Sequence, residues 1–236
     1  MIEKLVNAQR AARSQKPIPF LLTDIQPHLD AWIAASSRSA HLSFIPQPVD
    51  ATDPPPAVIS SASPAADPAA RFSSGTRVFR LYCLAFHHFP DARAAATLAS
   101  TLRTADGFAV VELQDRRLFS LAMMLADALL VLAVTAPWFW RRPLQMLFTY
   151  AVPVLPLVLS FDGFVSALRT RTFEEVVALV DQQGEGSKEG GSAVVSYGPD
   201  GESKFARRGG WVFEGGREMH TWPLGYMNWV VGRRLQ

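Results

Sequence analysis

The residues with the clearest chemical potential form one short run, Phe86-His87-His88-Phe89, with Asp91 two positions on and Glu112 further along. Histidine titrates near neutrality, so His87 or His88 could take a proton from a substrate or orient one. The same rings could also hydrogen-bond locally at a strand-ending turn. Asp24 and Asp50 each close an apolar run, PFLLTD (19–24) and LSFIPQPVD (42–50). A carboxylate at the carboxyl end of a strand in an α/β sheet stands where such sheets collect ligands. It can equally cap the next helix or form a turn. Glu112 reads as structural or as part of a cleft lining. His28, His41 and His220 supply no recognisable third ligand beside His87 and His88, so no metal site is expected. Cys83 is the single cysteine, which excludes an internal disulfide and a Cys-based zinc site; within its apolar run it is expected to be a small buried side chain.

The elements that would carry these groups alternate between strand and helix. Residues 2–13 read as a short helix ended by Pro17 and Pro19, and PFLLTD has the compact apolar character of a buried parallel strand. HLDAWIAASSRS, following Pro27, predicts a helix that turns Leu29, Trp32 and Ile33 inward, and 42–50 a second strand. The Pro-, Ala- and Ser-rich stretch 51–76 predicts a flexible loop. RVFRLYCLAF (77–86) is a third strand, and FAVVELQD (108–115) a fourth. Between them 91–107 reads as a helix with Ala95, Leu98 and Leu102 on one face and Gly107 as its stop. Such alternation is the mark of a parallel α/β sheet. An amphipathic helix follows at 173–183, then a Gly/Ser/Glu/Lys-rich loop at 184–204 expected to be disordered. Two β-type runs, 211–222 and 226–232, surround a Pro-Leu-Gly turn; their Trp and His side chains are expected to pack within the hairpin, or to form a binding platform.

FRLYCLAFHHFPDARAAATLASTLRTADGFAVVELQD resembles the second half of class I S-adenosylmethionine-dependent methyltransferases, with fungal methyltransferase-like proteins the nearest likeness. The resemblance rests on a strand ending in Phe86-His87-His88-Phe89 with Asp91, a helix with Leu98 and Leu102, the Gly107 turn and a strand bearing Glu112. It implies S-adenosylmethionine as cofactor, bound through Asp24 (ribose), Asp50 (adenine) and Phe86, and a small-molecule methyl acceptor near His87 and His88. It also implies a Rossmann-like sheet over 1–117, completed by a C-terminal antiparallel β-pair within 173–236. The family's first strand and its acidic-x-Gly-x-Gly loop are not found in the chain. GEGSKEGG (184–191) and EGGRE (214–218) do not join a strand to a helix. The fold expected is therefore that sheet without its first strand, with two strand edges left open. The function expected is methyltransferase-like, with the missing loop arguing against activity. The alternatives are a non-catalytic membrane-associated scaffold, or a chain that begins late relative to its relatives.

The region 118–172 breaks the alternation. Residues 118–140 contain one charge, Asp127, and 143–161 contain none. Runs of this length reach the ~18 residues of a membrane-spanning candidate. Trp138, Phe139 and Trp140 beside Arg141-Arg142 resemble an interfacial anchor, and Pro153 and Pro156 would kink the second arm. Two readings remain open: a hairpin in lipid, with the globular part cytosolic, or a buried cap over a cleft in a cytoplasmic protein. A lipid or membrane partner follows from the first reading. A nucleic-acid partner is not expected, because 23 Lys+Arg against 21 Asp+Glu give a net charge of only +2 and the arginines are scattered in pairs. The first 17 residues lack the apolar core of a secretory signal. With 49% hydrophobic and 19% charged residues, global disorder is excluded.

Overall fold

Both expected strand–helix–strand repeats form, but in different sheets. In a computed structural model that describes residues 2–55, 77–182, 193–199, 201–222 and 225–235, the chain divides into two units. One comprises Met1–Val78 with Ala99–Ala105, the other Phe79–Leu98 with Asp106–Gln236. In the first, α1 (Ile2–Ala12) precedes β1 (Phe20–Leu22), α2 (Leu29–Ser36) and β2 (Leu42–Phe44), and β1 and β2 pair in parallel. Asn7 clamps the entry to β1: its amide donates to the Ile18 carbonyl at 3.0 Å and its oxygen accepts the Ile18 N–H at 2.8 Å. β2 stops at Phe44, well short of Asp50, because Pro46 and Pro48 have no N–H to donate to a ladder.

The second unit is built on a six-stranded mixed sheet of order β3-β4-β8-β7-β6-β5. β3 (Phe79–Cys83) lies parallel to β4 (Gly107–Glu112), and α3 (Asp91–Thr104) lies between them in the chain. β5 (Ser196–Tyr197), β6 (Lys204–Arg208), β7 (Trp211–Thr221) and β8 (Gly225–Arg234) are antiparallel, with β8 also antiparallel to β4. β4 is almost wholly buried, as its unbroken run of Phe108, Ala109, Val110 and Val111 requires. The Phe108 ring crosses the backbone of its register partner Gly232, where a Cβ would stand 2.2 Å from it, and meets Phe213 at 6.2 Å. α7 (Phe173–Gln182) buries Phe173, Val176, Val177 and Val180, a helical stripe against the sheet.

Four expectations need correction here, the first being that α2 leaves Leu29 and Ile33 exposed and not turned inward. The run 77–86 is strand only to Cys83, because Leu84 turns into the left-handed region at φ +53°. Cys83 is exposed, because the strand's two-residue period places it on the face of Phe79 and Leu81, which is also exposed. Within 184–204, Ser196–Tyr197 and Lys204 belong to strands, since β6 and β7 offer a ladder to extend. The glycine run 184–191 and residues 56–76 of the expected loop lie outside the described residues.

The hairpin consists of α4 (Leu118–Phe139), α5 (Pro143–Met146) with a π turn over Leu147–Ala151, and α6 (Val154–Arg169). α6 is bent 70° from the segment before it. The break falls at Val152–Pro153, whereas Pro156 sits in the first turn of α6, where a missing N–H costs nothing. α4 and α6 pack closely at Gly163, whose Cβ would stand 2.7 Å from the Met124 sulfur. Near Pro137 the Tyr150 hydroxyl enters the α4 ladder, accepting the Ala136 N–H at 3.0 Å and donating to the Leu132 carbonyl. The side chains buried here are small and mostly polar: Ser120, Thr135, Thr149, Ser160 and Ser166. Many large apolar ones, among them Leu125, Leu129, Leu130, Trp138, Leu157 and Phe161, are exposed, and only 11% of the most apolar window of α4 is buried.

Candidate functional site

β3 and β4 are parallel, so their carboxyl ends bring together residues 25 positions apart. After Cys83 the Leu84 N–H still bonds the Val111 carbonyl at 3.0 Å, and the left-handed Leu84 then throws the chain into a 3-10 turn over Phe86–His88. A leucine held in that conformation costs about 1–2 kcal/mol and persists only where its surroundings enforce it. The turn that follows is held by the Glu112 carboxylate. Its Oε1 accepts the N–H groups of Phe86 at 2.9 Å and His87 at 3.1 Å, and its Oε2 accepts from His87 Nδ1 at 2.7 Å.

His87 and Glu112 are both buried, with side chains 6% and 4% exposed. A buried carboxylate is tolerated when donors satisfy it, and this one has three. An ionised carboxylate only accepts, so it takes the Nδ1 proton of His87 and leaves Nε2 as the ring nitrogen not held by Glu112. Fixing one nitrogen to define the role of the other is how a general base is oriented. The His88 ring is exposed and lies 4.1 Å from that of His87, centroid to centroid. Phe86 is fully buried, against Tyr82, Phe89 and the Arg171 guanidinium.

Arg171 fastens this turn from the far end of the hairpin. It donates to the carbonyls of Phe86 at 3.0 Å and Phe89 at 2.6 Å, and to Asp91 Oδ1 at 2.8 Å. Cys83 is close enough to feel the dyad. Although the residue is exposed at the surface, partial desolvation by its neighbours raises its thiol above the ordinary range, and the Glu112 charge adds to the shift.

Asp24 and Asp50 lie in the first unit, in the segments that follow parallel β1 and β2, and these are joined by the bond from Val49 N–H to the Asp24 carbonyl at 2.8 Å. Asp24 Oδ1 accepts the Gln26 N–H at 2.8 Å, an Asx turn; α2 is instead entered through His28, without a side-chain cap. Asp50 Oδ1 accepts both the N–H and the hydroxyl of Thr52, the turn-forming role. Among the described residues no group of three His, Cys, Asp or Glu could hold a metal ion.

S-adenosylmethionine would need glycine backbone between a strand and a helix, and the described residues do not offer it. Gly215 and Gly216 lie inside β7, and the space beside them is filled by the rings of Phe173 and Trp229. A separate cleft of about 440 Å³ lies where β4 leads into α4 and α6 returns, lined by Asp115–Arg117, Thr170–Phe173 and strands β6–β8. In the terminal β-pair, His220 Nε2 donates to the Leu113 carbonyl at 3.0 Å, Trp222 is exposed and Trp229 borders the cleft. No family model matches the chain, and neither a curated protein nor a solved structure does.

Two site residues carry more than their sequence context suggests. In the sequence Glu112 closes an apolar run just as Asp24 and Asp50 do, and that shared position was the available signal, although of the three only Glu112 ends a strand. Arg171 reads as one more flanking arginine, and nothing local ties it to Phe86, 85 residues earlier.

Proposed function

We propose that this chain is a membrane-docked, methyltransferase-like α/β protein. The hairpin of α4–α6 lies in the bilayer, and the His87–Glu112 pair serves a substrate that reaches the carboxyl ends of β3 and β4. The inverted burial of the hairpin carries this reading. Small polar groups inside and Leu, Phe and Trp outside suit hydrocarbon and waste apolar surface in water. The 22 residues of α4 extend ~33 Å at 1.5 Å each, against a hydrocarbon core of ~30 Å. Arg116, Arg117, Arg169 and Arg171 at the base outnumber Arg141 and Arg142 at the tip, which favours a cytosolic body.

Strand β3, the His87 turn, α3 and β4 with Glu112 support the methyltransferase-like part, as does β8 adding antiparallel to β4. His87 would take the proton of an acceptor hydroxyl or amine on Nε2, while Glu112 holds the ring. A second reading, a non-catalytic membrane scaffold, is favoured by the filled space beside Gly215 and Gly216. Carbonate extraction of the tagged full chain tests the membrane part: retention in the pellet is expected, and release into the supernatant contradicts it. Titration calorimetry with S-adenosylmethionine separates the two readings. Micromolar binding supports the enzyme, and no binding at millimolar ligand leaves the scaffold.

A further inference from the structure

The cleft at the foot of the hairpin is cationic, and the buried side-chain atoms of its lining that lack a partner are donors. Arg116, Arg117, Arg171, Lys204 and Arg217 line it, against Asp115 and Glu202. Most of these cations are occupied: Arg116 by Glu175 at 2.7 Å, Lys204 by Glu174 at 2.7 Å and Arg171 by the turn at Phe86. Arg217 is different. Its Nη2 donates to Glu202 Oε1 at 2.6 Å, and its guanidinium lies 5.1 Å from the centre of the Tyr226 ring. These contacts fix the group, yet its Nε and Nη1 are buried without an acceptor. The indole Nε1 of Trp229 is buried in the same condition.

The β7–β8 register holds these donors together. Gly216 stands opposite Trp229, and Arg217, the next residue, opposite Asn228. The indole packs over Gly216, where a Cβ would come within 3.1 Å of its Cζ2. Buried donors without acceptors are uncommon and unfavourable, and three of them belong to residues that line one cationic cleft, where an anionic ligand with several acceptor oxygens would satisfy them. Place selects the source of that anion. Arg116 and Arg117 are the last residues before α4, and Thr170 and Arg171 the first after α6, so both arms of the hairpin leave from the rim of the cleft. With the hairpin in hydrocarbon, that rim lies at the level of the headgroups.

We infer that this cleft binds the phosphate of an anionic phospholipid headgroup through Arg217 and the Trp229 N–H, an inference that rests on the membrane reading of the hairpin. The test is sedimentation of the full chain with phosphatidylcholine vesicles, with and without phosphatidic acid, and with inorganic phosphate as competitor. The wild type should prefer the anionic vesicles. Trp229→Phe, which keeps an aromatic ring and removes the N–H, should reduce that preference about three- to tenfold. Arg217→Gln should reduce it at least as much, and if that variant does not fold, Trp229→Phe decides alone. Equal preference in wild type and Trp229→Phe overturns the inference, as does Trp229-dependent binding of inorganic phosphate by a protein indifferent to vesicle charge. Binding to both vesicle types without preference sinks the headgroup site alone, whereas binding to neither, with release by carbonate, sinks the membrane reading beneath it.

Discussion

In the sheet unit Phe108, Phe213 and Leu98 are fully buried, whereas in the hairpin Leu125, Leu129 and Leu130 are 60–68% exposed and Thr135 and Thr149 are inside. One chain thus follows two opposite burial rules, and the change occurs within a few residues, between Glu112 at the end of β4 and Leu118 at the start of α4. Water drives the first arrangement by excluding apolar surface. In the second, exposed apolar surface lacks that penalty only if the surrounding medium is itself apolar, and close helix packing then selects small residues such as Gly163. The two regions should therefore respond oppositely to the same kind of substitution.

The largest expected effect is in the sheet. Phe213→Ala should cost about 3–5 kcal/mol of stability, read as a lower denaturation midpoint, because it opens a cavity beside Phe108 and Trp211. Leu129→Arg at an exposed hairpin position should barely alter folding in water. In the bilayer the same charge should cost about 2.5–3.5 kcal/mol and shift the protein from membrane pellet to supernatant. A thermal midpoint lowered as far as by Phe213→Ala, with pelleting unchanged, would argue for a buried cap instead. Tyr150→Phe comes next, at about 1–3 kcal/mol, because it removes the hydroxyl held between Leu132 and Ala136 inside the hairpin. Loss of helical signal on heating in detergent measures it.

The smallest effect concerns Cys83, the only thiol in the chain. Its pKa is raised, so less thiolate is present at neutral pH and alkylation by iodoacetamide should rise only at more alkaline pH than for a free cysteine. Glu112→Gln removes one of the two causes and should move that profile back toward lower pH. An unchanged profile would separate Cys83 from the dyad.

Much of the scaffold can be read from local pattern, and most of the site cannot. α3 spans Asp91–Thr104 against an expected 91–107, and β7 and β8 fall on the two C-terminal β-type runs, because helical and two-residue periodicities are written in neighbouring residues. α4 begins at the expected Leu118, where charge disappears from the chain. The Glu112 contact to His87, 25 residues apart, depends on the parallel register between β3 and β4, and no local pattern encodes it. Arg171 reaches the Phe86 turn only because the hairpin folds back on the sheet unit. Cys83 shows the limit of composition: FRLYC looks like a buried strand, yet β3 lies at an end of the sheet order, and Phe79, Leu81 and Cys83 share an exposed face.

The central claim, that the hairpin meets lipid where the sheet meets water, can be read at one atom. With Cys83→Ser and Leu129→Cys, an environment-sensitive fluorophore on residue 129 reports the medium around α4 in reconstituted vesicles. Blue-shifted emission, quenched by spin-labelled lipid and shielded from aqueous iodide, is the predicted result. Free quenching by iodide, without response to spin-labelled lipid, would contradict it.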